Sequence, residues 1–380
     1  MNISKLHIEK SVLSTSTASV GKVIFADQLR AFAFLCVVVV HWLGIYSLNS
    51  AFISVVTGAP KILLGDPDIY KSLLPPLPYF NFGPFGVSIF FLISGFVIPY
   101  SLKNKSKTGY IASRLVRIYP TYIACSFLML LFTIVSHAYW GSELSISLVR
   151  FISNITLTSS LLNYESIDYV NWTLSIEVKF YLICLLVYSS IRNGHVMRIV
   201  SIPFFIYLVV SFTRNMNIGS NEVGGFSFDA LKIELTYASF MFLGILINLM
   251  HSKKITIPEF LSSSVIVAIC FAMSWRIGPQ QNQFIASGAN YFYGYLFFIG
   301  AYLLREHFIK TRMISFLSNV SYSFYALHSI IGYCIIRFLT GHNVNYPISV
   351  IIAFAIVLIL SYTLFITIEK KCISIGKKIV

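Results

Sequence analysis

Apolar stretches of about 20 residues recur along this 380-residue chain, each long enough to cross the roughly 30 Å hydrocarbon layer of a bilayer as a helix. Hydrophobic residues make up 57% of the sequence and charged ones only 11%. That balance excludes an ordinary soluble domain and points to an all-α, polytopic integral membrane protein. The expected spans lie at about 27–48, 86–102, 117–136, 172–191, 198–213, 235–251, 257–275, 286–304, 319–339 and 348–368, about ten transmembrane helices in all. A polar tail precedes them over 1–24, a transmembrane domain covers 25–371, and a short basic tail follows at 372–380. No small-residue cleavage pattern follows the first run, which therefore reads as a retained span rather than a signal peptide.

Laid along these spans, 19 of the 28 Lys and Arg residues fall on one side of the membrane, six on the other and three inside spans. This asymmetry puts both termini in the cytoplasm and accounts for the +14 net charge through membrane topology, without a nucleic-acid partner. Cys36, Cys125, Cys184, Cys270, Cys334 and Cys372 stand singly, in no CxxC or Cys/His pairing, so neither a disulfide framework nor a metal site is expected. The long non-cytoplasmic connections are 49–85, with Pro60, Pro67, Pro75, Pro76 and Pro78, then 137–171 and 214–234. Such loops suit covers over a site or contacts to a large acceptor, and equally plain connectors. No internal repeat is visible.

Within the first span, DQLRAFAFLCVVVVH (27–41) places two charges and an imidazole on an otherwise apolar segment. At about 100° and 1.5 Å per residue, Arg30 and His41 share a helix face roughly 16 Å apart, with Asp27 on the same side. Polar groups at this depth are costly unless they are functional or hydrogen-bonded to a neighbouring helix. In GPFGVSIFFLISGF (83–96), Gly86, Ser88, Ser94 and Gly95 permit close helix contact, or the close approach of a substrate or of the His41 helix. Arg114 and Arg117, in SRLVRIYP, are three residues apart and suit either a phosphate clamp or a positive-inside anchor; Pro120 suits the first turn of the span that follows.

NWTLSIEVKFYL (171–182) begins with Trp172 in its second place and carries Glu177 roughly 8 Å into its span, while Lys179 points elsewhere. In VSYSFYALH, Ser321, Tyr325 and His328 fall on one stripe. Glu369 closes the last span, where pairing with Lys370 or a neighbouring loop is the default.

Taken together and in this order, these segments and the terminal ITIEK resemble the membrane-bound acyltransferase family 3, over residues 27 to 371. One departure is Ala31, where the family usually has glycine. Some relatives carry a C-terminal extracytoplasmic hydrolase-like domain, for which this chain leaves no room. The resemblance implies O-acyl transfer, most often acetyl, from an acyl-CoA such as acetyl-CoA to a hydroxyl of a surface glycan or its lipid-linked precursor. The setting it implies is the lipid of a bacterial cytoplasmic membrane, without a metal. It carries His41 and Arg30 over as the catalytic pair, with Asp27 and Glu177 beside them. Arg114 and Arg117 take the donor side, and Ser94, Gly95, Trp172, Ser321, Tyr325 and His328 take supporting places. Glu177 is then expected to orient or stabilise the His41 imidazole. From another class, a transporter or flippase would line its path with the same intramembrane charges.

Overall fold

The computed structural model describes residues 24–61, 74–75, 78–216 and 218–380. The expected N-terminal tail, together with Pro67 and Pro76, lies outside them. Among the described residues the chain is helical, and the only β pairing is an isolated bridge between Gly219 and Ser227.

Among the described residues, seven helices are long and apolar enough to cross a membrane: α1 (Ile24–Leu48), α3 (Phe82–Leu102), α4 (Lys107–Trp140), α8 (Phe228–His251), α9 (Ile257–Ile277), α11 (Arg312–Gly341) and α12 (Tyr346–Lys378). Short helices α2 (Ser50–Thr57) and α5 (Leu148–Ile155) lie in the connections. The three other expected spans are α6 (Trp172–Leu186), α7 (Val196–Phe212) and α10 (Ala289–Leu303), of 15, 17 and 15 residues. At 1.5 Å per residue they rise only about 22–26 Å, short of the hydrocarbon thickness. The α6 helix breaks at Val187 before a further short turn, Tyr188–Asn193.

Capping residues set the helix starts. Ser106 accepts the Gly109 amide and starts α4, so the helix begins well before Pro120, which sits inside it rather than in its first turn. Thr256 and Glu259 form a reciprocal capping box at the start of α9.

Every residue of the α8 helix from Thr236 to Leu249 is buried, which places this helix in the core of the bundle. It meets α3 at paired glycines. A Cβ on Gly95 would lie 2.0 Å from the Met241 carbonyl oxygen, and one on Gly244 would lie 2.3 Å from that of Leu92. Gly86 instead lets α3 approach α1, where a Cβ would lie 2.7 Å from the Ala33 carbonyl oxygen. Gly86 thus makes the expected close contact with the His41 helix, whereas Gly95 serves the crossing with α8. On the outer faces of α4, α9 and α12, Phe127, Leu131, Val135, Leu261, Val265, Ile269, Ile351 and Ile359 stand exposed. Bands of this kind suit lipid, because in water they would drive association.

The connection from α5 to α6 is irregular and only partly buried, with its anchoring side chains deepest. Asp168, Asn154 and Asn171 are 1%, 2% and 3% exposed. Backbone without helix or strand partners survives in such a place only if side chains satisfy it. Here they do: Asn154 donates to the Arg150 and Glu165 carbonyls and accepts the Ile167 amide, while Asp168 Oδ1 accepts the amides of Val170 and Asn171. This packed segment delivers Trp172, the first residue of α6, into the interior.

Candidate active site

Two cavities open along α1. The first, of about 140 Å³, is lined by Arg30, Arg117, Glu177 and Glu369, with Ser94, Tyr181, Ser321 and Tyr325 among them. The second, of about 670 Å³, holds His41 with Asn49, Phe52, Asn81, Tyr169 and Trp172. They stand back to back. Trp172 lines the His41 cavity and its neighbour Thr173 lines the Arg30 cavity. The Thr173 and Tyr325 hydroxyls, 3.0 Å apart, both line the Arg30 cavity.

In the Arg30 cavity, Asp27 holds the Arg30 guanidinium at 3.2 Å, as their spacing of three residues on a helix predicts. Glu177 Oε1 accepts the Ser94 hydroxyl at 2.7 Å and also that of Tyr181. Glu369 accepts the Ser323 hydroxyl at 2.7 Å, instead of pairing with Lys370. It sits in a π-helical turn, Phe365–Glu369, which breaks the regular run of α12. Arg117 makes no hydrogen bond or ion pair among the described residues, and its charge faces Glu177 and Glu369 across the cavity. Unclaimed guanidinium donors in a polar cavity are suited to an anion or a polarised carbonyl.

Arg114 takes a different place from its sequence partner. It does not line the cavity. Its guanidinium lies over the Tyr181 ring, 5.6 Å from the centroid, with Nε and Nη1 buried. Ser321 lines the Arg30 cavity and donates to the Ser318 carbonyl at 2.7 Å. Lys179 pairs with Glu234 on α8 at 2.8 Å and donates to Ser175, clear of Glu177.

His41 also sits in a π turn, Val40–Ile45. Its Nδ1 lies 2.7 Å from the Tyr333 hydroxyl, and its ring stacks on the Tyr333 ring at 23°. The His328 ring meets its other side edge-on, 4.8 Å between centroids. His328 donates Nδ1–H to the Tyr325 carbonyl at 2.7 Å, because a carbonyl can only accept. Its Nε2 is therefore a bare lone pair, fully buried and without a partner among the described residues. Of the Ser321, Tyr325 and His328 stripe expected from the sequence, Ser321 and Tyr325 line the Arg30 cavity, while His328 is buried against the His41 ring.

The expected contact between Glu177 and His41 is absent. The irregular segment before α6 already carries Trp172 to the level of His41. Glu177, five residues further and about 7.5 Å along the helix, reaches the Arg30 cavity instead. Tyr333 occupies the place proposed for it. Tyr333, Asn49, Asn81, Tyr169 and Asp168 all escaped the sequence reading. Tyr333 lies about 140° round the helix from His328, off that stripe, and the others are loop or cap positions whose neighbours come from distant segments.

Apolar helices long enough to span a bilayer, enclosing charged and imidazole groups in back-to-back cavities, define a multi-pass membrane protein with a chemically equipped interior. The family model of an acyltransferase domain, acyltransferase family 3, matches residues 23–366, and the chain belongs to that family. No curated protein and no solved structure matches the chain.

Proposed function

We propose that this protein transfers an acyl group, most simply acetyl, from acyl-CoA to a hydroxyl of a cell-surface glycan or its lipid-linked precursor. In this reading it lies in a bacterial cytoplasmic membrane with both termini in the cytoplasm, and α6, α7 and α10 complete ten crossings. The observation that carries it is the pairing of an arginine-bearing cavity with a histidine-bearing cavity whose linings include the consecutive residues Thr173 and Trp172.

The donor approaches through the Arg30 cavity. About 140 Å³ admits the thioester end but not the nucleotide, which stays at the cytoplasmic mouth. Arg117, with free donors, and Arg30, held by Asp27, bind the anionic donor, whose acyl end extends past Thr173 toward His41. The acceptor enters the His41 cavity from the opposite face.

Tyr333 accepts the Nδ1 proton of His41 in a hydrogen bond, which leaves Nε2 bare toward the cavity. His41 Nε2 removes the hydroxyl proton, the oxygen attacks the thioester carbon, and a new C–O bond replaces the C–S bond. The leaving sulfur takes the proton back from His41, giving CoA thiol and the ester. This transfer needs no metal.

Purified protein in detergent, given radiolabelled acetyl-CoA and a cell-envelope glycan extract, should form labelled glycan, and His41→Ala should abolish it at equal protein recovery. Intact acetyl-CoA alongside glycan movement across sealed vesicles would identify a transporter instead.

A further inference from the structure

Three turns meet at one end of the bundle, and each brings a cation. Lys103 follows α3, Arg192 belongs to the short turn Tyr188–Asn193 after α6, and Lys254 lies between α8 and α9. The α8 helix closes in a Schellman motif, in which the Lys254 amide donates to the Leu249 carbonyl at 2.9 Å and the Lys253 amide to the Met250 carbonyl at 3.0 Å. Lys253 takes the left-handed place, φ +56°, that glycine usually fills. This closure brings Lys254 to the neighbouring turn, where its Nζ donates to the Arg192 carbonyl at 2.6 Å. Gly194 admits the approach: its φ is +77°, and an added Cβ would lie 3.0 Å from both the Cβ and the carbonyl oxygen of Lys254. Arg192 in turn donates Nη1 to the Tyr188 hydroxyl at 3.2 Å and Nη2 to the Lys103 carbonyl at 3.5 Å, with its guanidinium over the Tyr188 ring.

These bonds use carbonyls and a phenol, and they leave the charges unmatched. None of the three cations pairs with a carboxylate among the described residues. Glu259, the acid nearest to Lys254 in sequence, commits its Oε2 to the Thr256 amide and hydroxyl, at 2.7 and 2.8 Å. Lys254 Nζ keeps two hydrogens beyond its one bond, and all three of Lys103 are without a partner among the described residues. Partial burial, and then the charges of Lys103 and Arg192, lower the Lys254 pKa from its ordinary value. Like charges gathered without an acid repel one another, and an anion among them removes that cost.

The helices that these turns join are apolar on the outside. Leu186 and Met197, on either side of Arg192 in the chain, and Ile257 and Leu261, in the first turns of α9, are all more than half exposed. The α7 and α9 helices pack against each other, so their outer faces are neighbours. A soluble phosphate makes no use of such a band, whereas a phospholipid carries a phosphate and apolar chains together.

We propose that Lys103, Arg192 and Lys254 form a binding site for the phosphate of an anionic phospholipid, whose acyl chains run along the exposed side chains of α7 and α9. The site does not depend on the acyl-transfer reading.

Lys103→Gln removes a charge and none of the hydrogen bonds that join the turns, so it separates lipid binding from folding; a triple variant adds Arg192→Gln and Lys254→Gln. Full-length protein in detergent would be titrated with phosphatidylglycerol, with phosphatidylcholine as the net-neutral control, and bound lipid counted by native mass spectrometry. Wild type should retain phosphatidylglycerol at concentrations that leave phosphatidylcholine unbound. Lys103→Gln should weaken that retention about fivefold at unchanged melting temperature, and the triple variant should abolish it. Lys310→Gln, Lys377→Gln and Lys378→Gln together, which remove the same charge elsewhere, should bind as wild type does.

Equal retention of the two lipids, unchanged retention by Lys103→Gln and the triple variant, or an equal loss in the control variant would overturn the site. Displacement of the lipid by inorganic phosphate or coenzyme A would overturn the lipid assignment and give the three cations to a soluble phosphate.

Discussion

Tyr333→Phe isolates one hydrogen bond at the centre of the proposed chemistry. The Tyr333 hydroxyl lies 2.7 Å from His41 Nδ1, and the two rings stack at 23° with centroids 6.2 Å apart. Phenylalanine keeps the stacking surface, and His328 still packs on the other side at 4.8 Å, so the imidazole keeps its place and loses only its tautomer selection. Leaving Nδ1 buried and unpaired costs about 1–3 kcal/mol. If that cost falls on the transition state, in which His41 must carry a second proton, kcat drops by about 5- to 150-fold. The assay is acetyl transfer by purified protein at saturating acetyl-CoA, with pH varied from about 5.5 to 8.5 to span the ordinary histidine range. The pH profile should change along with kcat, because the phenol no longer stabilises the charged ring, while yield and thermal melting stay near wild type. A kcat within twofold of wild type and an unchanged pH profile would refute the argument that Tyr333 orients the imidazole.

Arg117→Lys should raise the KM for acyl-CoA about tenfold, because Arg117 carries free donors in the cavity, as read by initial rates on purified protein. Arg114→Lys should instead lower the melting temperature with little change in that KM, since Arg114 packs its guanidinium on the Tyr181 ring outside the cavity. Gly244→Val should prevent accumulation of folded protein, because its Cβ would lie 2.3 Å from the Leu92 carbonyl oxygen; detergent-stable yield by size-exclusion chromatography measures this. For topology, cysteines replacing Leu48 and Glu165, both exposed, should react with a membrane-impermeant maleimide on whole cells, whereas one replacing Lys378 should react only after permeabilisation.

Much of the architecture follows from the sequence alone. A helix in lipid must satisfy its backbone within itself, so each span announces itself locally as a long apolar run. For the same reason the Asp27 and Arg30 pair and the stripe of Ser321, Tyr325 and His328 were legible, being set by helical spacing. Two spans, α6 and α10, came out shorter than their hydropathy suggested, because apolar composition extends into π turns, breaks and loops beside them.

Only the tertiary structure decided which polar groups meet. His41 finds Tyr333 across 292 residues of sequence, and the side-chain hydrogen bond from Ser94 to Glu177 spans 83. Such choices depend on how far each helix is shifted along its neighbours. One shift, the irregular segment before Trp172, moved Glu177 from His41 to Arg30. The hydrogen bonds that hold that segment join Asn154, Asp168, Tyr122 and Ser329, from four separate parts of the chain. No periodicity or local composition encodes a contact of that kind, because it comes into being only when the helices have packed.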